Sequence, residues 1–179
     1  DVDTLMHHAD VAMYHAKQNG RNEFCFFSPA MNAHVHERGQ LENRLRRALA
    51  NDEFVLDYQP QVDIASGRIV GLEALLRWEV DGVEVLPAAD FIPLAEETGL
   101  IVPIGEWVLA TAMRQLADFA RKGLAPLRMS VNVSARQFHQ QDIAAQVEQL
   151  LEASGCDPNA LTLEITETLA MQNAEATLA

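Results

Sequence analysis

The chain has few cysteines, few basic residues and no long apolar run. Its two cysteines, Cys25 and Cys156, lie far apart in 179 residues, so we expect no disulfide framework and a reducing, cytoplasmic compartment. No apolar run reaches the roughly 18 residues that a membrane-spanning helix needs. The chain begins at Asp1 rather than Met, and we expect it to be a piece of a longer protein, which could be membrane-anchored through upstream segments.

Basic residues are scarce relative to acidic ones. Lys and Arg number 13 against 26 Asp and Glu, which gives a formal net charge of −13. General binding of DNA or RNA requires a basic patch to replace released counterions, so a nucleic-acid polymer is not expected as a partner. An anionic small molecule remains compatible with this charge if divalent metal ions bridge the two negative partners.

The segment Glu-Ala-Leu-Leu-Arg-Trp at residues 73–78 carries charges where a buried strand is usually apolar. It continues the apolar run at 69–72, which predicts a strand. Because side chains alternate along a strand, Glu73 and Arg77 share one face while Trp78 lies on the other. A buried charge needs a partner, a metal or solvent. A structural Glu73–Arg77 ion pair and a functional site are both consistent with this segment.

Periodicity predicts the elements around this strand. An amphipathic connector helix is expected at 41–49, then strands at 53–64 and 68–79 that form a hairpin. A loop at 80–89 leads to a helix at 90–99, capped by Asp90 and ended by Gly99. The remaining expected elements are a helix at 104–122, a strand at 128–133, a helix at 140–153 and a strand at 161–166. This alternation predicts a right-handed α/β architecture.

Three oxygen-bearing side chains fall near the ends of successive predicted strands. They are Glu73, Asn132 and Glu164. Any one of them is weak evidence, since an Asn at the end of a strand is usually a turn or cap residue. Two carboxylates and an amide oxygen together form a hard ligand set that suits Mg²⁺ or Mn²⁺. The three positions therefore predict a divalent metal site.

Four segments resemble the EAL family of bacterial cyclic-di-GMP phosphodiesterases. They are residues 57–63 (Asp-Tyr-Gln-Pro-Gln-Val-Asp), 73–78, 130–138 (Ser-Val-Asn-Val-Ser-Ala-Arg-Gln-Phe) and 163–168 (Leu-Glu-Ile-Thr-Glu-Thr). The resemblance covers about residue 41 to the last residue. It implies a modified TIM (β/α)₈ barrel with an antiparallel first strand, of which residues 41–179 would be the N-terminal half, since a complete barrel has about 250 residues.

The resemblance also implies roles for individual residues. Glu73, Asn132 and Glu164 match the family's metal ligands, and Arg77 and Gln59 match positions at the substrate. Glu167 matches a Glu that steadies a later active-site loop, and we place it with Glu73 as a candidate catalytic residue. A carboxylate favoured by a helix N-terminus explains Glu167 nearly as well.

The implied activity is metal-dependent hydrolysis of cyclic-di-GMP to linear pGpG. The family's two-metal site is completed by an Asp-Asp pair, a Lys and a further Glu that do not occur in this chain, so we expect the chain alone to be inactive. A non-catalytic cyclic-di-GMP receptor and a pure interaction module remain alternatives. Members of the family often form homodimers through barrel helices.

Residues 1–28 resemble the end of a GGDEF (diguanylate cyclase) domain, and such a domain or a sensor is expected upstream of the barrel. The likeness lies in residues 9–22, where Lys17 and Arg21 match positions that can contact nucleotide phosphates. The GGDEF motif itself is absent, so a packing helix followed by a strand at 23–27 is the preferred interpretation. Residues 29–40, with His34 and His36, are expected to form an exposed linker, and residues 41–179 the truncated EAL domain.

Overall fold

The computed structural model describes residues 1–18, 22, 24–124, 127–140 and 142–165. The chain divides into two units, Asp1–Arg44 and Leu45–Ala179. The helices are α1 (Val2–Gln18), α2 (Pro29–Ala48), α3 (Ala88–Thr98), α4 (Ile101–Arg121), α5 (Ala135–Gln140) and α6 (Ile143–Ser154). The strands are β1 (Phe54–Val62), β2 (Ile69–Val80), β3 (Val83–Leu86), β4 (Arg128–Val133) and β5 (Leu161–Ile165), the last preceded by a short 3₁₀ turn. No helix within these ranges is long and apolar enough to cross a membrane.

The first unit contains the predicted N-terminal helix, α1. Val11, Ala12 and Ala16 are buried, whereas Leu5 and Met13 are 69% and 51% exposed. The Cys25 thiol donates a hydrogen bond to the carbonyl oxygen of Ala12 at 2.9 Å. The small residues of α1 therefore pack against the segment that follows it.

One prediction for this region was wrong. Residues 24–28 form no strand, and Phe24 and Phe26 are more than four-fifths exposed. A strand requires a neighbouring strand to pair with, and the described residues of this unit supply none. The expected linker at 29–40 is helical, because α2 begins at Pro29. Ser28 followed by a proline at the first helical position is a typical helix start.

The sheet of the second unit has the order β1-β2-β4-β5, with β3 beside β2. β1 and β2 are antiparallel, whereas β2 with β4 and β4 with β5 are parallel. The predicted antiparallel first strand and the α/β class are thus both confirmed. The observed β1, β2, β4 and β5 begin and end within two residues of the predicted strands.

The sheet has one polar and one apolar face. Helices α3 and α4 pack on the apolar face, where Trp78, Phe91, Met113, Met129 and Val131 are almost completely buried. The ring of Trp78 lies 5.7 Å from Phe91 in an edge-to-face arrangement, which is favourable for aromatic pairs. Cross-strand register places the opposite set on the polar face: Asp57, Gln59, Gln61, Glu73, Arg77, Arg128, Ser130, Asn132, Thr162 and Glu164.

Three details differ from the expected elements. The predicted loop at 80–89 contains β3, which pairs with β2 through a turn in which Asp81 and Gly82 both have positive φ, the backbone that Asp-Gly hairpins favour. Helix α3 starts before Asp90, which does not cap it, although Gly99 ends it with φ 82° as predicted. The helix expected at 140–153 is observed as α6, which starts three residues later, and the preceding α5 was not predicted.

Candidate active site at the strand ends

Glu73 and Asn132 meet on the polar face of the sheet. The Asn132 amide Nδ2 donates a hydrogen bond to Glu73 Oε1 at 2.8 Å. Glu73 lies near the end of the part of β2 that pairs with β4, and Asn132 is the second-last residue of β4. Two residues separated by 59 positions in the chain are thus brought into direct contact by the parallel pairing of their strands.

Glu164 completes a row of three oxygen-bearing side chains. In the register of β4 with β5, Glu164 lies directly opposite Asn132. Paired residues of neighbouring strands project to the same face, so the order across the sheet is Glu73, Asn132, Glu164. Glu73 and Glu164 are half-buried and Asn132 is exposed. The structure therefore brings together the three predicted metal-ligating residues on one accessible face.

Gln59 and Arg77 occupy the same face on the hairpin. Gln59 on β1 lies opposite Glu73 in the antiparallel register. Arg77 forms an ion pair with Asp57, with 2.9 Å between Nε and Oδ2. Within the described residues Glu73 and Arg77 form no ion pair with each other, so the structural Glu73–Arg77 pair left open by the sequence is not observed. The other candidate catalytic residue, Glu167, lies outside the described residues.

Helix α5 holds the end of β4 in place through a reciprocal cap. The Gln137 backbone N–H donates to Ser134 Oγ at 3.2 Å, and the Ser134 backbone N–H donates to Gln137 Oε1 at 3.1 Å. This arrangement is a capping box. Because Ser134 is two residues after Asn132, the cap fixes the backbone direction just beyond the row of oxygen ligands.

A cleft of about 280 Å³ adjoins the row, between the strand ends and helices α3 and α4. Asn132, Arg77 and Gln137 contribute to its wall together with Glu96. Burial raises the pKa of the Glu96 carboxyl above its usual value, because an ionised carboxylate is poorly solvated there. Most of the cleft wall is apolar and includes Ile104, Val108 and Val133.

The donor set determines which metal fits this site. Within the described residues, no three His, Cys, Asp or Glu side chains lie close enough to hold a metal ion, so His36 gains no support as a ligand. The side chain of His34 lies outside the described part of the chain. Glu73, Asn132 and Glu164 offer oxygen atoms only, which suits Mg²⁺ or Mn²⁺ and not a structural zinc ion. The Asn132 amide currently turns its NH₂ towards Glu73. An ion shared by Glu73 and Asn132 would require this amide to rotate and present its oxygen.

Sequence reasoning missed three residues of this region. Asp57, the partner of Arg77, had no assigned role because the pair depends on strand register. Ser134 and Gln137 form the spacing Ser-x-x-Gln that signals a capping box, and this signal was available in the sequence. All three support neighbouring side chains and none was predicted to do so.

Comparison with known proteins identifies relatives over most of the chain. The family described as "EAL domain" matches residues 42–179. The bifunctional diguanylate cyclase/cyclic di-GMP phosphodiesterase MucR of Pseudomonas aeruginosa is 47% identical over 97% of the chain and 25% of its own length. The cyclic di-GMP phosphodiesterase PdeR of Escherichia coli is 42% identical over 99% of the chain and 27% of its own length. The chain thus spans about a quarter of the length of these relatives.

Solved structures resemble most of the chain. The PaMucR phosphodiesterase in complex with c-di-GMP has a TM-score of 0.74 and 44% identity, over 78% of this chain and 56% of that chain. The FimX EAL domain of Xanthomonas citri in complex with c-diGMP has a TM-score of 0.69 and 26% identity, over 80% of this chain and 55% of that chain. The half-barrel arrangement of strands and helices is therefore shared with proteins whose structures contain the dinucleotide.

Proposed function

This chain belongs to the EAL domain family, and from that membership we propose that the whole protein containing it is a metal-dependent phosphodiesterase that hydrolyses cyclic di-GMP to linear pGpG. The observation that carries the proposal is the row of Glu73, Asn132 and Glu164 across three neighbouring strands. The phosphodiesterase names of MucR and PdeR support it.

Glu73, Asn132 and Glu164 would hold a divalent cation, which we propose to be Mg²⁺ or Mn²⁺. Such an ion supplies Lewis acidity and an acidified water molecule for phosphodiester hydrolysis. We propose that a second ion is held with help from residues beyond this chain, as the resemblance to the family implies. Bound cations also offset the repulsion between an anionic substrate and a chain whose formal net charge is −13.

Arg77 is proposed to bind a substrate phosphate. Its guanidinium group offers up to five N–H donors in a planar fork, a geometry that Lys does not reproduce. Gln59 lies beside Glu73 across the hairpin, where its amide would orient the substrate. Glu167 retains its proposed role in steadying a later loop, which depends on residues that follow it.

Replacing Glu73 with Gln in the whole protein tests the proposal. The variant keeps the size of the side chain and an oxygen that can accept from Asn132, but removes the ligand charge. We expect kcat for cyclic di-GMP to fall by about 100-fold or more, because metal activation of water is lost, whereas the melting temperature changes little. The measurement is production of linear dinucleotide as a function of Mn²⁺ concentration.

Glu106→Gln is the matched control, because it makes the same change at an exposed position of α4. An unaltered rate in Glu73→Gln would contradict the proposed role of Glu73. Metal-independent binding of cyclic di-GMP without turnover in the wild-type protein would instead identify a receptor.

The 179-residue chain by itself is expected to show no turnover. Its described residues provide three of the proposed ligands, and the resemblance places the remaining ones elsewhere. Linear dinucleotide formed by the purified chain in the presence of Mn²⁺ would contradict this expectation.

A further inference from the structure

Asp57 and Arg77 are neighbours because of the hairpin register. Asp57 lies opposite Leu75, and Val55 lies opposite Arg77. Asp57 is therefore diagonal to Arg77 on the same face, a separation that a long side chain can span. The resulting ion pair joins Asp57 Oδ2 to Arg77 Nε at 2.9 Å. Moving the register by a single residue would place Asp57 on the opposite face.

This ion pair is poorly placed to stabilise the fold. The Asp57 side chain is 58% exposed and that of Arg77 26% exposed. Ion pairs that are open to water contribute little, about 0–1 kcal/mol, because water and salt screen the attraction. The pair is more informative about the orientation of Arg77 than about folding stability.

The contacts of Arg77 restrict which of its donors remain available. Nε lies 2.9 Å from Asp57 Oδ2 in the ion pair, and Nη1 donates to the carbonyl oxygen of Leu76 at 3.0 Å. Within the described part of the chain, Nη2 has no hydrogen-bond acceptor. Two contacts at two different nitrogen atoms fix the plane of the guanidinium group and leave its Nη2 end for an incoming anion.

We propose that Asp57 is a positioning residue for phosphate binding, which orients Arg77 so that its Nη2 end receives a phosphate oxygen of the substrate. This inference rests on the proposed phosphate-binding function of Arg77. Asp57 itself does not contact the substrate. Its carboxylate acts through the ion pair with Nε, and its negative charge partly offsets the charge that Arg77 offers to the phosphate.

Two substitutions separate the oxygen contact at Arg77 Nε from the charge of Asp57. Asp57→Asn keeps an oxygen that can accept from Nε, whereas Asp57→Ala removes the acceptor altogether. In the whole protein we expect Asp57→Ala to raise KM for cyclic di-GMP about 10-fold with kcat changed less than about threefold, since binding geometry and not the chemical step is lost. Asp57→Asn should keep KM within about threefold of wild type or lower it.

Asp118→Asn serves as the control. Asp118 on α4 forms an ion pair with Lys122 at 2.6 Å, outside the candidate site, and the substitution removes the same single charge. We expect wild-type KM and kcat. Equal KM values for Asp57→Ala and wild type would overturn the inference, as would an Asp57→Asn variant as impaired as Asp57→Ala.

A second measurement separates this inference from the proposed function. In the ¹⁵N-arginine-labelled whole protein, the Arg77 Nε–H resonance is identified by its loss in Arg77→Lys and is titrated with dimethyl phosphate. We expect a shift on titration in wild type and Asp57→Asn, and a weakened or exchange-broadened response in Asp57→Ala. Such a pattern without hydrolysis of cyclic di-GMP would support the role of Asp57 while refuting the phosphodiesterase proposal. Suppose instead that the whole protein hydrolyses cyclic di-GMP and that the Arg77 resonance of Asp57→Ala responds to dimethyl phosphate as in wild type. This result would refute the role of Asp57 and leave the phosphodiesterase proposal standing.

Discussion

Glu96 shows at the scale of one residue how burial changes the behaviour of a carboxyl group. Burial raises its pKa above the usual 4.5. A raised pKa in the folded state means that its favourable contribution is complete below pH 4.5 and is lost as the pH rises through the folded-state pKa. Above its folded-state pKa, the ionised Glu96 therefore opposes folding.

Glu96→Gln should raise the midpoint of urea denaturation at pH 7, because a neutral amide avoids the cost of burying a charge. Near pH 3.5, where both carboxyl and amide are neutral, we expect the variant and wild type to have similar midpoints. The measurement is urea denaturation of the chain at both pH values.

The same substitution at exposed Glu106 gives the comparison for Glu96→Gln. At pH 7, Glu106→Gln should raise the midpoint of urea denaturation less than Glu96→Gln does. A destabilised Glu96→Gln at pH 7 would show that the Glu96 carboxylate has a favourable partner that outweighs its desolvation.

The residues of the candidate site were predictable to different degrees. Glu73, Asn132 and Glu164 were found because charged or polar side chains at the ends of apolar strands are conspicuous. Their order across the sheet required the strand pairing, which periodicity alone does not provide. Asp57 was not predicted as the partner of Arg77, because a diagonal contact between two strands depends on a register that is set by the hairpin turn.

At the scale of elements, α5 depends on one close contact with α4. Gln137 is 2% exposed, and a Cβ atom added at Gly105 would lie 1.8 Å from Gln137 Nε2. Only glycine leaves room for this side chain. The capping box and the contact with Gly105 together hold α5 against α4, next to the end of β4.

Gly105→Ala is therefore expected to destabilise the chain by about 1–3 kcal/mol, since overpacking forces side chains or backbone to shift. Gly39→Ala is the matched control, because no atom lies within 4 Å of a Cβ added there. An alanine in that helix should be neutral or stabilising by up to about 1 kcal/mol. Denaturant titration of both variants gives the comparison.

Combining Gly105→Ala with Gln137→Ala tests the cause. The double variant should lose less stability than the sum of the two single variants, because removing the Gln137 amide relieves the clash. If the stability losses of the two single variants simply add, the contact between α4 and α5 does not limit the size of the side chain at position 105.

The elements that sequence patterns missed share a physical reason. β4 was predicted at its observed bounds because Met129, Val131 and Val133 alternate with polar residues, the pattern of a half-buried strand. β3 and α5 are too short for periodicity to detect, and each is specified by local turn or cap residues instead. The strand expected at 23–27 illustrates the reverse case, in which β-favouring residues lack a neighbouring strand in the described part of the chain.

At the scale of the whole molecule, the excess of acidic residues influences stability. With a formal net charge of −13, carboxylates repel one another more in the folded than in the expanded chain. We expect the melting temperature of the chain to rise when NaCl is increased from about 10 mM to about 200 mM, because salt shortens the range of this repulsion. Circular dichroism during heating provides the measurement.

Mg²⁺ at matched ionic strength should raise the melting temperature further than NaCl if the oxygen row binds it, and Glu73→Gln should abolish that extra rise. A melting temperature that falls with NaCl would indicate that local ion pairs such as Asp118–Lys122 outweigh the general repulsion.

The alternation of side chains along β2 limits how related chains can vary over evolutionary time. Substitution of Leu75 changes one side chain, but loss of one residue between Glu73 and Arg77 would turn Arg77 towards the helices and Trp78 away from them. Related chains that keep β2 can therefore accept substitutions in this segment but not insertions or deletions. An alignment of descendants should accordingly accumulate replacements between Glu73 and Arg77 and contain no gaps there.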